Sequence, residues 1–304
     1  MKSRYKISIQ GGSILFKKTN PNNLKTKKKI KKEIKMSVNP LNNQELKELA
    51  PTLFTREPHY EVSDKYHFIP TIKVIEQIKS HNWYPVSVSQ ADVRDEAKDG
   101  YQQHCVRFRH FENLLNPQDN AVELLLFNSH DRTKSFSISA GIYRFVCANG
   151  LVVSDSVFES YKIKHIGDRD NDVANAVAKI TAIKDKLLDK IKTLSNIQLS
   201  NLEKQSFAKL AIPLRFEEHL EVNLNDLLVP NRKEDYKDDL YTTLNTIQEH
   251  LIRGNVSGIN KETGRRFTSK EIKSITNDTH INKGLWEIAE KIAFIKEPNY
   301  QIAA

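Results

Sequence analysis

One change of hydrophobic period constrains this chain more than any other feature. Between Trp83 and Val153 apolar residues recur at every second position; from Asn171 onward they recur every 3.6. Tyr84, Val86 and Val88 alternate with polar neighbours, as a strand does. In His104–Phe111, Val106 and Phe108 share a face with His104 and His110, while Cys105, Arg107, Arg109 and Phe111 share the other. Ala121–Phe127 is a denser apolar run, predicted to be a strand buried on both faces. A polar turn over 128–134 precedes Phe136 and Ile138, which alternate with serines. Gly141–Val153 is apolar with a single arginine, Arg144, and carries the turn signal Asn149-Gly150. Residues 84–165 therefore predict a mainly antiparallel sheet.

Helices flank it. Asn43–Leu49 is amphipathic, capped by Asn42 or Asn43 and stopped by Pro51. A second helix follows Pro70, with Thr71 as its cap and Ile72, Ile75 and Ile78 as its face. After the sheet, Val173, Ala176, Val177, Ile180, Leu187, Ile191 and Leu194 form a long stripe from Asn171 to Leu194. That stripe suits either the sheet or a second copy of the chain, so a homo-oligomer stays open. Leu199–Leu210, Asp235–Ile252 and Asn282–Phe294 predict three more helices, with a polar, basic loop over 253–270. Segregated elements of this kind predict an α+β fold, a single domain over 36–304.

The net charge of +9 is unevenly placed. Residues 1–35 hold twelve Lys/Arg against one acid, Glu33, a net of +11. The remainder holds 35 basic and 37 acidic side chains, a net of −2, so the body is not basic. The segment before Met36 predicts a disordered basic arm that touches phosphates non-specifically, or an upstream read-through ahead of a start at Met36. No run of eighteen apolar residues exists, and no signal-peptide pattern survives Gln10-Gly11-Gly12-Ser13. With two cysteines, Cys105 and Cys147, the expectation is a cytoplasmic protein with reduced thiols, no membrane segment and no cofactor.

Catalytic patterns do not emerge. Phosphate loops, nucleotide-binding glycine fingerprints and nucleophile elbows are lacking. Ser129-His130-Asp131 is contiguous, which suits turn chemistry and not a triad. His104 and His110 point away from Cys105, and Asp168, Asp170 and Asp172 lack the rest of a calcium loop, so no metal site is expected. The chain reads as a non-enzyme.

Arginines in unusual settings remain. Arg107 and Arg109 are two residues apart on one strand face, Arg144 is embedded in an apolar run, and Arg265, Arg266 and Lys270 lie in the C-terminal loop. With Lys134 they form the candidate nucleic-acid set, because a guanidinium fork suits phosphate and Phe108, Phe111, Tyr143 and Phe145 offer stacking faces. Equally, these arginines can pair internally with Glu112, Glu123 or Asp155.

Several strings resemble a known family: Ser63-Asp64-Lys65-Tyr66, His104–Arg109, Asn128-Ser129-His130-Asp131, Ala140–Leu151, Gly264-Arg265-Arg266 and Asn282–Trp286. Together they are similar to the phage/plasmid-like proteins, domain of unknown function 932, over about residues 45–295. The resemblance implies a mobile-element setting and a bacterial cytoplasm, and no defined activity. The first expectation is a DNA-metabolism protein that holds single-stranded DNA by arginines on a sheet face. The alternative is an antagonist of a host protein, acting by contact or by acidic mimicry through Glu217, Glu218 and Glu221, or Glu234, Asp235, Asp238 and Asp239.

Overall fold

The computed structural model describes residues 6–10, 13–17, 39–62, 66, 68–93, 95–116, 118–145, 149–152, 161–162 and 169–297. Cys147, Asp155, Asp168 and Ser63-Asp64-Lys65 lie outside them. The chain divides into two compact units, Met1–Glu33 and Ile34–Ala304.

In the first unit β1 (Lys6–Gln10) pairs antiparallel with β2 (Ser13–Lys17), aligning Ile7 with Phe16 and Ile9 with Ile14. This is a regular element where the sequence predicts a disordered arm. Its source is legible afterwards: apolar residues alternate on both sides of Gly11-Gly12.

The second unit is α+β. It opens with α1 (Asn43–Leu49), whose Asn42 side chain accepts from Gln44 N and Glu45 N while Glu45 returns to the Asn42 N–H, a reciprocal cap. Then come α2 (Thr71–Ser80) and the strands β3 (Trp83–Gln90), β4 (His104–His110), β5 (Asn120–Asn128), β6 (Ser137–Arg144) and β7 (Asn149–Val152). These pair antiparallel in chain order, with β8 (Tyr161–Lys162) also on β6. A short α3 (Phe111–Leu115) leaves β4, and it removes Phe111 from the strand face predicted for it.

One sheet face is largely apolar. Val106 and Phe108 of β4, Val122, Leu124 and Leu126 of β5, and Ile138, Ala140 and Ile142 of β6 are buried in the main core. The long helix α4 (Arg169–Asn196) covers that face with Val173, Ala176, Val177, Ile180 and Leu187. Its stripe is therefore used within the chain. Trp83 Nε1 donates to Thr181 Oγ1 at 3.1 Å, tying the edge strand to the helix.

The C-terminal half comprises α5 (Asn201–Ala211), β9 (Leu220–Val222), α6 (Leu224–Leu228), α7 (Leu240–Arg253), β10 (Ser257–Asn260), β11 (Arg266–Thr268) and α8 (Ile275–Lys296). α7 begins beyond the predicted Asp235, where the Asp239 carboxylate accepts from Thr242 N at 2.7 Å. Within the predicted polar loop, β10 and β11 form a hairpin that β9 extends to three strands. Strands of three or four residues are too short for a period-two signal to stand out. Among the described residues no helix is long and apolar enough to cross a membrane.

Candidate functional site

The second sheet face is the unusual one. Strand register places Arg109 opposite Glu123 and Glu123 opposite Gly141, with Arg107 one pleat away on the same face. Arg109 Nε donates to Glu123 Oε1 at 2.8 Å, and Arg107 Nε donates to Oε2 of the same carboxylate. Glu123 is fully buried, Arg109 is 2% exposed and Arg107 12%. The Arg109 guanidinium lies 4.0 Å from the Tyr143 ring centroid and 4.6 Å from that of Phe145, a cation–π contact with both rings. Burial raises the Tyr143 pKa against the pull of Arg109.

Next to this cluster Cys105, Leu125 and Phe127 form a small apolar group capped by Ile275 of α8. Burial pushes the Cys105 thiol up to about 12, so it is an inert thiol. Asp278, in the first turn of α8, is raised to about 6 by burial, opposed by the field of Arg107.

Arg144 is also internal. Its Nη1 donates to Asp235 Oδ1 at 2.6 Å, Arg232 holds Asp235 Oδ2 at 3.0 Å, and Arg232 grips Glu249 with two bonds of 2.6 and 2.8 Å. The sheet thus joins α7 through a chain of charges. Of the predicted partners Glu123 is used, whereas Glu112 takes Lys184, and Asp235 is a partner outside the expected set. The predicted open arginine groove is corrected accordingly: Arg107, Arg109 and Arg144 are ion-paired inside the fold. A buried guanidinium without a carboxylate would be too costly to keep.

Lys134 is partly buried, its Nζ 5.6 Å from the Phe127 ring centroid. Arg265, Arg266 and Lys270 stand apart from all of these. They are exposed on and just after the β10–β11 hairpin, and among the described residues none has a carboxylate partner. Asn260 shapes the turn by accepting from Glu262 N at 2.9 Å and Thr263 N at 3.0 Å, and Gly264 takes φ 67°. Phe267 turns inward onto Phe216, so Arg266, Thr268 and Lys270 alternate outward with it. Gly254, at φ 86°, roots the hairpin; a Cβ there would lie 2.6 Å from the Ser269 carbonyl.

The Asn128–Asp131 string has two functions. Asp131 and Ser129 do turn chemistry: Asp131 accepts from Thr133 N at 3.0 Å, and Ser129 Oγ accepts from Lys134 N at 2.9 Å. His130 and Asn128 instead enter a buried network of which the sequence carries no sign. His104 Nδ1 lies 3.1 Å from the Gln102 carbonyl and so carries the proton. Its Nε2, 2.8 Å from Thr71 Oγ1, then accepts from that hydroxyl, which accepts from Asn128 Nδ2 at 3.0 Å. His130 Nε2 donates to the Thr52 carbonyl at 3.1 Å. Burial, with His130 nearby, lowers the His104 pKa to about 3; burial lowers that of His130 to about 4. Both rings are neutral at physiological pH, and each bond has one direction. Thr71 is therefore no helix cap: α2 is capped at Pro70 without a side-chain bond. The network pins α2, β4 and the turn after β5 together.

Among the described residues no group of three His, Cys, Asp or Glu is placed to hold a metal ion. The acidic stretches are partly consumed: Asp235 is paired, Asp238 takes Lys204, Asp239 caps α7, and Glu217, Glu218 and Glu221 remain exposed. A cleft of about 650 Å³ is walled by Asp119, Asn120, Gln198, Glu234, Lys237 and Thr242 among others.

Residues 58–286 match the model of the Domain of unknown function (DUF932). Two Escherichia coli K12 proteins, UPF0380 protein YafZ and UPF0380 protein YfjQ, are each 33% identical over 254 residues, spanning 83% of this chain and 92% of the relative. No solved structure matches. The buried arginine face, the β10–β11 hairpin and most of the histidine network lie within the matched span, and the chain belongs to the DUF932 family.

Proposed function

We propose that this chain is a cytoplasmic, non-enzymatic nucleic-acid-binding protein of a mobile element, holding single-stranded DNA on the outward face of the β10–β11 hairpin. The observation that carries this reading is the unpaired exposure of Arg265, Arg266 and Lys270, set against the internal pairing of every sheet arginine in the candidate set. Guanidiniums kept clear of carboxylates are available to phosphate. Arg265, Arg266 and Lys270 are all exposed along one stretch of chain and can meet successive phosphates of a backbone. The mobile-element setting is what the resemblance of its motifs to the phage/plasmid-like family implies. The body's net charge of −2 makes the contact local, so affinity is modest, with a log–log salt slope of only about −2 for three neutralised phosphates.

The test is binding of a fluorescent single-stranded oligonucleotide to the chain started at Met36, across a salt series, with duplex as control. Single-strand preference that disappears on Arg265→Ala with Arg266→Ala supports the hairpin. Binding confined to the chain with its lysine-rich leader assigns the affinity to residues 1–35 and ends this reading.

A further inference from the structure

We infer that the paired guanidiniums of Arg107 and Arg109 form a binding site for one small oxyanion, a phosphate or carboxylate group, on the second face of the sheet. This stands apart from the hairpin and does not depend on it. Each arginine meets Glu123 through Nε alone, so one hydrogen-bonded carboxylate serves two guanidiniums. The Nη2 atoms of both arginines are buried and have no hydrogen-bond partner among the described residues. Buried charged donors left open are costly, by more than a neutral group would be. Here two of them belong to adjacent positions of one strand face, in the fork geometry that oxyanions match.

The surroundings fix what can enter. Tyr143 and Phe145 pack on the Arg109 guanidinium. Arg107, at 12% exposure, is the more accessible of the two; Arg109 is at 2%. Two guanidiniums this nearly buried suit a free ion or a terminal phosphate or carboxylate and not a polymer backbone. Asp278, on α8, is within electrostatic reach of Arg107 and sets the opposing charge. Its carboxylate shares the field of Arg107, and an arriving anion competes with it.

The experiment is calorimetric titration of the full chain at pH 7.5 with inorganic phosphate and, separately, with acetate, at ionic strength held constant with chloride. One saturable site per chain is expected in at least one arm, and the saturating arm identifies the chemistry. Heat from the lysine leader is common to every variant and does not saturate at one equivalent. Arg109→Lys and Arg107→Lys keep the charge and remove the fork, and each is expected to weaken binding about tenfold or more. Asp278→Asn is expected to tighten it severalfold, because it removes the competing carboxylate. If the lysine variants do not fold, as judged by circular dichroism, the Asp278 variant decides. No saturable binding in either arm overturns the site, as does saturable binding unmoved by Asp278→Asn.

Discussion

The sheet and the β10–β11 hairpin use the same residue type in opposite ways. On the sheet, Arg107 and Arg109 share Glu123 and Arg144 holds Asp235, all buried or nearly so; on the hairpin, Arg265 and Arg266 are exposed with no carboxylate partner among the described residues. The first arrangement joins strands to one another and the sheet to α7. The second leaves charge free for something outside the chain. Two arginines close together in sequence thus carry no meaning until their carboxylates are located.

The contrast breaks most severely at Glu123. Replacing it with Ala leaves two buried guanidiniums uncompensated, and removing one partner of a buried pair costs about 3–5 kcal/mol. Urea unfolding of Glu123→Ala is expected to show a loss of that size, or no folded protein. A loss below about 1 kcal/mol would mean that the sheet arginines are free to turn outward, and the two regions would no longer differ.

Acid is the next lever, and it acts on the opposite face. His104 and His130 are neutral in the fold, with pKa values lowered to about 3 and about 4. Unfolded, each takes a proton near pH 6.5. Between pH 6.5 and about 4 the unfolded state therefore binds two more protons, and stability falls as pH falls, by about 1.4 kcal/mol per pH unit for each histidine. Asp278 works the other way below pH 6: its raised pKa gives the folded state the extra proton, so it offsets one histidine over that range. The net expectation is a decline from pH 6.5 to pH 4 in urea titrations, made shallower by His130→Gln and steeper by Asp278→Asn. A profile flat over that range would show the rings to be protonated in the fold.

Much of the fold is legible in the sequence because burial follows period. The alternation over Val106 and Phe108 assigns the apolar face, and the stripe from Val173 to Leu194 assigns the helix that covers it. Partners are less legible. Glu123 is one of three candidates for the arginines, whereas Asp235 lies 91 residues from Arg144 and only the packing of the 3-10 turn beside α7 brings them together. The histidine network is hidden for a similar reason: Thr52, Thr71, His104 and Asn128 come from four separate elements, and no local spacing links them. The hairpin is hidden by its brevity.

Gly254 gives a smaller effect that separates rooting from charge. At φ 86° with the Ser269 and Lys270 backbone within 3 Å of a notional Cβ, Gly254→Ala forces α7 and the β11 exit apart. A destabilisation of about 1–3 kcal/mol is expected from thermal or urea unfolding. Oligonucleotide binding should weaken in parallel, since the outward residues lose their fixed spacing. Normal binding in a destabilised Gly254→Ala chain would show that the hairpin's shape is irrelevant to its charge.

The smallest stability effect is predicted where the functional one is largest. Arg265→Ala with Arg266→Ala removes two exposed side chains that bond to no carboxylate, and such surface changes stay within about 0.5 kcal/mol each. Their effect should appear instead in the salt dependence of single-strand binding. Each phosphate that the protein no longer neutralises lowers the slope of log affinity against log salt by roughly 0.7 on a single strand. Lys substitutions at the same positions should restore the slope, because counterion release depends on charge, while recovering less of the affinity, because the fork is gone. Set beside Glu123→Ala, this pair tests the comparison from both ends. If the hairpin alanines destabilise the fold and leave the slope unchanged, the exposed arginines are structural after all, and the distinction between the two regions fails at the hairpin.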